Sequence, residues 1–256
     1  MPFNTVNFSD EAYSIIDSTA SRINETFVQK TQVNGFDIIS LEEALKVDNE
    51  FLNLAYKPNK KTILHRFMKE YYCEEWNYLR RKTDDNFPKY VYPILDELGI
   101  KYHQKNNRTT SDYNWYLFKK VCNNSDRYIH EAFQVLFNDR KLMQSFSIIV
   151  SKTILNLKQK DFPEYMINDG EIKRYTNWNK WLQDALFHRE KGCCAQCGCD
   201  LTSVIAIKNK INIDHIVPIS RGGTNDPTNL QILCSTCNNT KSNNHTEVGS
   251  LKHIFW

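Results

Sequence analysis

The sequence predicts a mainly α N-terminal domain, residues 1–175, followed by a small α+β domain, residues 176–256, stapled by structural zinc. Two observations carry this expectation. Gly35, Gly99 and Gly170 are the only glycines before residue 175, whereas Gly192, Gly198, Gly222, Gly223 and Gly249 follow it. Six of the eight cysteines lie between Cys193 and Cys237. A glycine-poor stretch with apolar residues at helical spacing, then a run rich in Gly, Cys and Asn, reads as helices leading into a loop-rich module.

Composition bounds the rest. The 256 residues are 41% hydrophobic and 25% charged, enough for a core of normal size without disulfides. The net charge of +3 is too small to mark a nucleic-acid enzyme, so any electrostatic footprint has to come from local patches. The start, Met1 to Val6, lacks the basic and apolar regions of a secretory signal, and no run of about 18 apolar residues occurs. These features point to a soluble, cytoplasmic chain with no membrane partner, whose clustered cysteines bind metal rather than one another.

The helices follow in order. Ile15, Ile16, Thr19, Ile23 and Phe27 recur at a helical period after a cap at Ser9. Ser40-Leu-Glu-Glu43 is a capping-box pattern that opens another helix. Ile63, Leu64, Phe67, Met68, Tyr71, Tyr72, Trp76 and Leu79 form an apolar stripe. Ile94, Leu95 and Leu98 lead into Gly99 as a C-cap. Ile129, Phe133, Leu136 and Phe137 make a further helix, and Leu142, Phe146, Ile149, Val150 and Leu157 continue the pattern. Asp161 to Gly170 carries the turn signals of a linker. The basic run Arg80-Arg-Lys82, near Trp76 and Tyr78, reads first as a solvated helix end and second as a phosphate contact. His65, His103 and His130 show no metal-ligand spacing and read as structural or surface residues.

Cys194-Ala-Gln-Cys197 and Cys234-Ser-Thr-Cys237 are two C-x2-C pairs. Each spacing turns two sulfurs toward one metal, and two such knuckles complete a tetrahedral S4 shell that suits zinc. Four thiolates leave no open coordination position, so this zinc is expected to be structural. Cys193 and Cys199 are adjacent alternatives, but only Cys194 with Cys197 repeats the spacing of the second pair.

Between the knuckles, Lys210 to Pro218 reads as a strand ending in Asp214-His215, with those two side chains on opposite faces. Ser220 to Pro227 is a loop, Asn229 to Cys234 a short apolar strand, and Ser235 to Ser242 a short helix with Asn238 and Lys241.

From Trp178 to His245 the sequence resembles the HNH endonucleases, or ββα-metal nucleases. The resemblance rests on Cys194-x2-Cys197-Gly, Ile213-Asp-His215-Ile-x-Pro218, Gly222-Gly223, Asn229-Leu and Leu233-Cys-x2-Cys237-Asn238-x2-Lys241. The approach Trp178-Asn-Lys-Trp181 and Leu186-Phe-x-Arg189-x-Lys-Gly192 is similar to the helix that precedes the first knuckle in that family. It implies that His215 is the general base, that Asp214 and Asn238 hold a catalytic divalent metal, and that Asn229 braces the loop and orients the base. Lys241 matches a basic position near the scissile phosphate, and Arg221 and Lys241 are the expected nucleic-acid contacts. Oxygen ligands from Asp214 and Asn238 suit magnesium or manganese. Some family members carry His at the last motif position and again one turn on, where this chain has Asn238 and Ser242, which disfavours transition metals.

The function so implied is hydrolysis of phosphodiester bonds in DNA, in a setting such as bacterial restriction or phage defence. The helical region, with no motif of its own, is the expected place for substrate recognition or for a protein partner such as an ATPase. The alternative is a zinc-dependent DNA-binding or scaffold protein with an inactive nuclease site.

Overall fold

The structure, a computed structural model, describes residues 8–28, 41–202 and 211–241. Ser40, Lys210, Ser242 and His245 lie outside the described residues. In chain order the elements are α1 (Asp10–Val28), α2 (Leu41–Ala44), α3 (Asn49–Tyr56), α4 (Ile63–Thr83), α5 (Phe87–Glu97), α6 (Thr110–Asn123), α7 (Asp126–Leu136) and α8 (Arg140–Leu155). Then come the strands β1 (Met166–Asn168) and β2 (Glu171–Ile172), α9 (Lys180–Arg189), β3 (Asn212–His215), β4 (Leu230–Leu233) and α10 (Ser235–Lys241). The fold is mainly α with a small ββα module near its C-terminal end. Among the described residues no helix is long and apolar enough to cross a membrane.

The chain divides into two compact units, one taking residues 1–21, 32–44 and 64–135, the other residues 22–31, 45–63 and 136–256. The second unit thus reaches upstream of residue 175, where the composition changes.

In the first unit, Ser9 caps α1 as its sequence position suggests, with Oγ accepting from the Ala12 amide at 3.2 Å. Leu64, Phe67, Met68, Tyr71, Tyr72 and Trp76 are buried along one stripe of α4. Trp76 meets Phe87 of α5 edge-on at 6.0 Å, a favoured aromatic geometry. Gly99 ends α5 with φ +67°, and the Ile100 amide returns to the Leu95 carbonyl at 2.8 Å, closing a Schellman turn. Helix α6 is not legible in the apolar spacing, because aromatic residues lie on several of its sides. Its start is local chemistry: the Thr109 hydroxyl accepts from the Asp112 amide at 3.1 Å. His65 is buried and stacks on Phe133 at 3.9 Å, and His103 is exposed, in keeping with structural and surface roles.

In the second unit, Asp48 caps α3 through the Phe51 amide at 2.9 Å, and Asp139 caps α8 through the Leu142 amide at 2.9 Å. The segment expected to be a linker is in part a hairpin. β1 and β2 pair antiparallel around Asp169-Gly170, with Met166 and Ile172 fully buried. Turn residues bound this segment, but two apolar side chains on one face convert it into packed structure.

A buried charge cluster, which the sequence did not signal, ties α8 and α9 to the ββα module. Glu190 Oε1 accepts from Arg189 Nε at 3.0 Å and Nη2 at 2.7 Å, while Arg140 Nε lies 3.1 Å from Glu190 Oε2. The same arginines donate to main-chain carbonyls, Arg140 to Ala195 and Arg189 to Leu230 at 2.5 Å. Each of the three buried ionic groups is paired with an opposite charge, and the arginines also donate to carbonyls at the first knuckle and on β4, while Glu190 Oε2 and Arg189 Nη1 are buried without a hydrogen bond among the described residues.

Candidate active site

The ββα module is built from β3, β4 and α10. The strands pair antiparallel from Asn212 opposite Leu233 to His215 opposite Leu230, joined by a loop rather than a tight turn. That loop folds back on itself. The Gly223 amide donates to the Pro218 carbonyl at 3.0 Å, and a Cβ on Gly223 would lie 2.0 Å from the Val217 carbonyl oxygen. No side chain fits there, which is the physical reason for glycine at this position.

Asn229, at the far end of the loop, holds it from inside. Its Oδ1 accepts from the Val217 amide at 2.8 Å, and its Nδ2 donates to the carbonyls of Val217 at 3.0 Å and Thr224 at 2.9 Å. The Ile216 amide adds a bond to the Asn229 carbonyl at 2.7 Å. Asn229 is 1% exposed, so its amide spends its hydrogen-bonding capacity on the loop.

Asp214 and His215 leave β3 on opposite faces, as the alternation of a strand requires. Asp214 Oδ2 accepts from Gln231 Nε2 at 2.9 Å and Lys241 Nζ at 2.7 Å. Among the described residues Oδ1 takes no hydrogen bond. Lys241 is 1% exposed, and its ammonium also donates to the His215 carbonyl. As placed, this lysine joins α10 to β3 from within and does not present its charge outward. Arg221, in contrast, is exposed in a turn of 3-10 helix, Ile219–Arg221. Asn238 is half-buried on α10, which packs on both strands.

His215 is buried, with its ring 5.9 Å from that of Trp178. Its Nε2 lies 3.0 Å from Asn225 Oδ1. Asn225 itself is fixed by its other partners. Its Nδ2 donates to the carbonyls of Tyr56 at 2.8 Å and Lys173 at 2.9 Å, while Oδ1 also accepts from the Tyr175 amide at 3.0 Å. The oxygen therefore faces His215, so Nε2 is the protonated nitrogen and Nδ1 keeps its lone pair. Burial pushes the imidazole pKa down to about 4, helped by nearby Arg174 and Lys241 and opposed by the Asn225 bond and Asp214. The ring is thus neutral near pH 7.

Asn225 was not singled out in the sequence. Its partners sit at residues 56, 173 and 175, far along the chain, and a lone loop asparagine gives no periodic or spacing signal. Asp226 beside it is wholly buried and accepts from the Thr228 amide at 2.9 Å, the Thr228 hydroxyl at 2.6 Å and the Ile63 amide at 2.8 Å. Together Asn225 and Asp226 seat the loop on residues 55–63 and 173–175.

The cysteine cluster closes the module. One ligand sulfur each from Cys194, Cys197, Cys234 and Cys237 all lie within 4.8 Å of one another, and Cys197 Sγ is 3.9 Å from Cys234 Sγ. A tetrahedron with Zn–S bonds of about 2.3 Å has edges of about 3.8 Å, so the donor set fits zinc. Cys193 and Cys199 are not among those four; the Cys199 thiol nonetheless touches Cys197 and Cys234 at the edge of the cluster, whereas Cys193 Sγ lies 3.5 Å from the Lys191 carbonyl. The Ala195 amide donates to the Ile232 carbonyl at 2.9 Å, and the Cys234 amide to Cys194 Sγ at 3.3 Å. The first knuckle is therefore bonded directly to β4 and the second.

Two antiparallel strands and a helix, with a four-cysteine cluster at one end and an Asp-His pair on the first strand, form a small ββα module. Residues 194–244 match the family HNH endonuclease. Over 90 residues, 32% of this chain and 89% of the relative, the sequence is 29% identical to a Lactococcus phage SK1 protein named probable HNH endonuclease. No solved structure matches the chain.

Proposed function

We propose that the chain is a metal-dependent endonuclease that hydrolyses phosphodiester bonds in DNA. The observation that carries this reading is the state of His215: a neutral imidazole, tethered through Nε2 to Asn225, with a lone pair on Nδ1, one residue from Asp214. The joint presence of Asp214, His215, Asn229 and Asn238 in one module supports an active site over a binding module alone. The match of residues 194–244 to HNH endonucleases and the phage relative support nuclease activity in general.

In this mechanism Nδ1 of His215 takes a proton from water as the water oxygen bonds to phosphorus. The bond to the 3′-oxygen breaks and that oxygen takes a proton from solvent, leaving a 3′-hydroxyl and a 5′-phosphate. Asp214 and Asn238 would hold magnesium or manganese, which when bound supplies positive charge to the phosphate and the leaving oxygen. Asp214 suits that role, since both of its hydrogen bonds fall on Oδ2 and Oδ1 is available to a hard cation. Gln231 Oε1, on the same amide that donates to Asp214, is buried with no hydrogen-bond partner and can accept from water in a cation's shell. Lys241 fixes the Asp214 carboxylate, Asn229 fixes the loop, and exposed Arg221 meets a phosphate.

Plasmid cleavage tests this reading. Purified protein in magnesium or manganese should nick or linearise supercoiled DNA, and His215→Ala should abolish the activity while keeping its zinc. Absence of cleavage by the folded, zinc-bound protein would instead favour a DNA-binding or scaffold role.

A further inference from the structure

The first unit carries an uneven charge. From Asn77 to Lys120 there are nine Lys and Arg against five Asp and Glu, a larger excess than the whole chain's +3. The fold gathers several of these cations around the aromatic rings of α6. The Arg80 guanidinium, from the last turn of α4, lies 4.1 Å from the centre of the Trp115 ring and 5.9 Å from that of Phe118. Arg108 lies over Tyr116 at 4.7 Å, with Lys120 Nζ at 5.8 Å from the same ring and Lys119 Nζ at 6.0 Å from Trp115. Trp115 is 42% exposed, a large apolar residue open to solvent. Arg108, Asp112, Trp115, Tyr116 and Lys119 line an open groove of about 760 Å³.

Two further facts separate this face from an ordinary solvated helix. Among the described residues, none of Arg80, Arg81, Lys82, Arg108, Lys119 and Lys120 forms an ion pair with a carboxylate. Arg80 Nε is also buried with no hydrogen-bond partner. Unpaired guanidiniums seated on rings are held in place at small entropic cost and keep their outward charge for an anion.

We propose that this face binds the phosphate backbone of duplex DNA. The proposal rests on the nuclease reading only for the identity of the polyanion. Several cations without carboxylate partners, spread along two helices, suit a repeating polyanion better than a single phosphate. Trp115 and Tyr116 already carry guanidiniums, so the cations rather than bare rings meet the ligand. That favours a duplex, with its bases stacked inside, over a strand that stacks unpaired bases on aromatic side chains.

The test uses the full chain carrying His215→Ala, so that the probe stays intact, in fluorescence anisotropy with a short labelled duplex and with the matching single strand. Arg108→Gln with Lys119→Gln removes two exposed charges; Trp115→Ala removes the platform under Arg80. Circular dichroism and zinc content check the fold. The double variant should bind the duplex about tenfold more weakly near 100 mM salt, and log K against log salt should become shallower by about two. Trp115→Ala should weaken binding about threefold. Unchanged affinity and slope in the double variant, loss confined to the single strand, or no duplex binding by the parent at about 50 mM salt would overturn the proposal. Plasmid cleavage by the wild-type protein is read separately, so a failed surface and a failed nuclease give different results.

Discussion

The hydrogen bond between His215 Nε2 and Asn225 Oδ1, 3.0 Å long, runs in one direction only. Asn225 spends both amide protons on the carbonyls of Tyr56 and Lys173, so its oxygen faces the histidine and Nε2 must donate. Residues 56 and 173 thereby set which nitrogen of His215 is basic. Asn225→Ala should lower kcat about 10- to 100-fold with zinc retained, by analogy with loss of the partners that orient metal-ligating histidines. Nitrogen-15 NMR of the wild-type protein should show His215 as the Nε2-protonated tautomer, and the variant a mixture. A single unchanged tautomer with full activity in the variant would defeat the positioning role.

Zinc should carry much of the module's folding free energy, because its strands are only four residues each. Cys194→Ala or Cys237→Ala is expected to lose the metal and the β3–β4 packing together. Metal analysis and circular dichroism measure both. Zinc bound at wild-type stoichiometry in either variant would contradict the assignment of the four ligands.

Asn229→Ala removes three side-chain hydrogen bonds inside the loop and leaves the Val217 amide and two carbonyls without those partners. A loss of about 2–4 kcal/mol in stability is expected, at roughly 1 kcal/mol or more for each bond. Cleavage should slow while zinc stays bound. Wild-type stability by denaturant titration would show that the loop is braced elsewhere.

Asp226 gives a pH dependence of known sign. Complete burial raises its pKa to about 6, against the opposing effect of its hydrogen bonds from Thr228 and Ile63. A carboxyl with a raised folded pKa binds more protons folded than unfolded. Its contribution to stability is full below its unfolded pKa of about 4 and declines as pH rises through about 6. From pH 5 to 7 the loss is about 1 kcal/mol. The stability difference between wild type and Asp226→Asn should therefore shift in favour of the variant over that interval. A difference constant with pH would show that Asp226 is ionised throughout.

Much of the ββα module is legible in the sequence because its signals are local. Two x2 spacings bring cysteines together, Asp214 and His215 are neighbours on one strand, and glycine at 223 answers a contact six residues away. The cap at Ser9, the stripe on α4 and the C-cap at Gly99 are likewise written within a turn or two of chain. Helix α6 escaped because its aromatic residues do not confine themselves to one face, and hydrophobic periodicity is blind to such a helix. The hairpin at Met166 to Ile172 escaped because its turn residues resemble those of a linker.

The sequence by itself determined the zinc ligands' spacing, the order strand–loop–strand–helix and the identity of the Asp-His pair. Only the tertiary structure decided that Asn225 fixes the His215 tautomer, that Lys241 turns inward to Asp214, that Arg140, Arg189 and Glu190 lock α8 and α9 to the module, and that Arg80 rests on Trp115. The reason is physical. A spacing motif encodes groups that meet within a few residues, whereas a buried hydrogen bond or ion pair between segments 27 to 169 residues apart exists only once packing has excluded water from both ends.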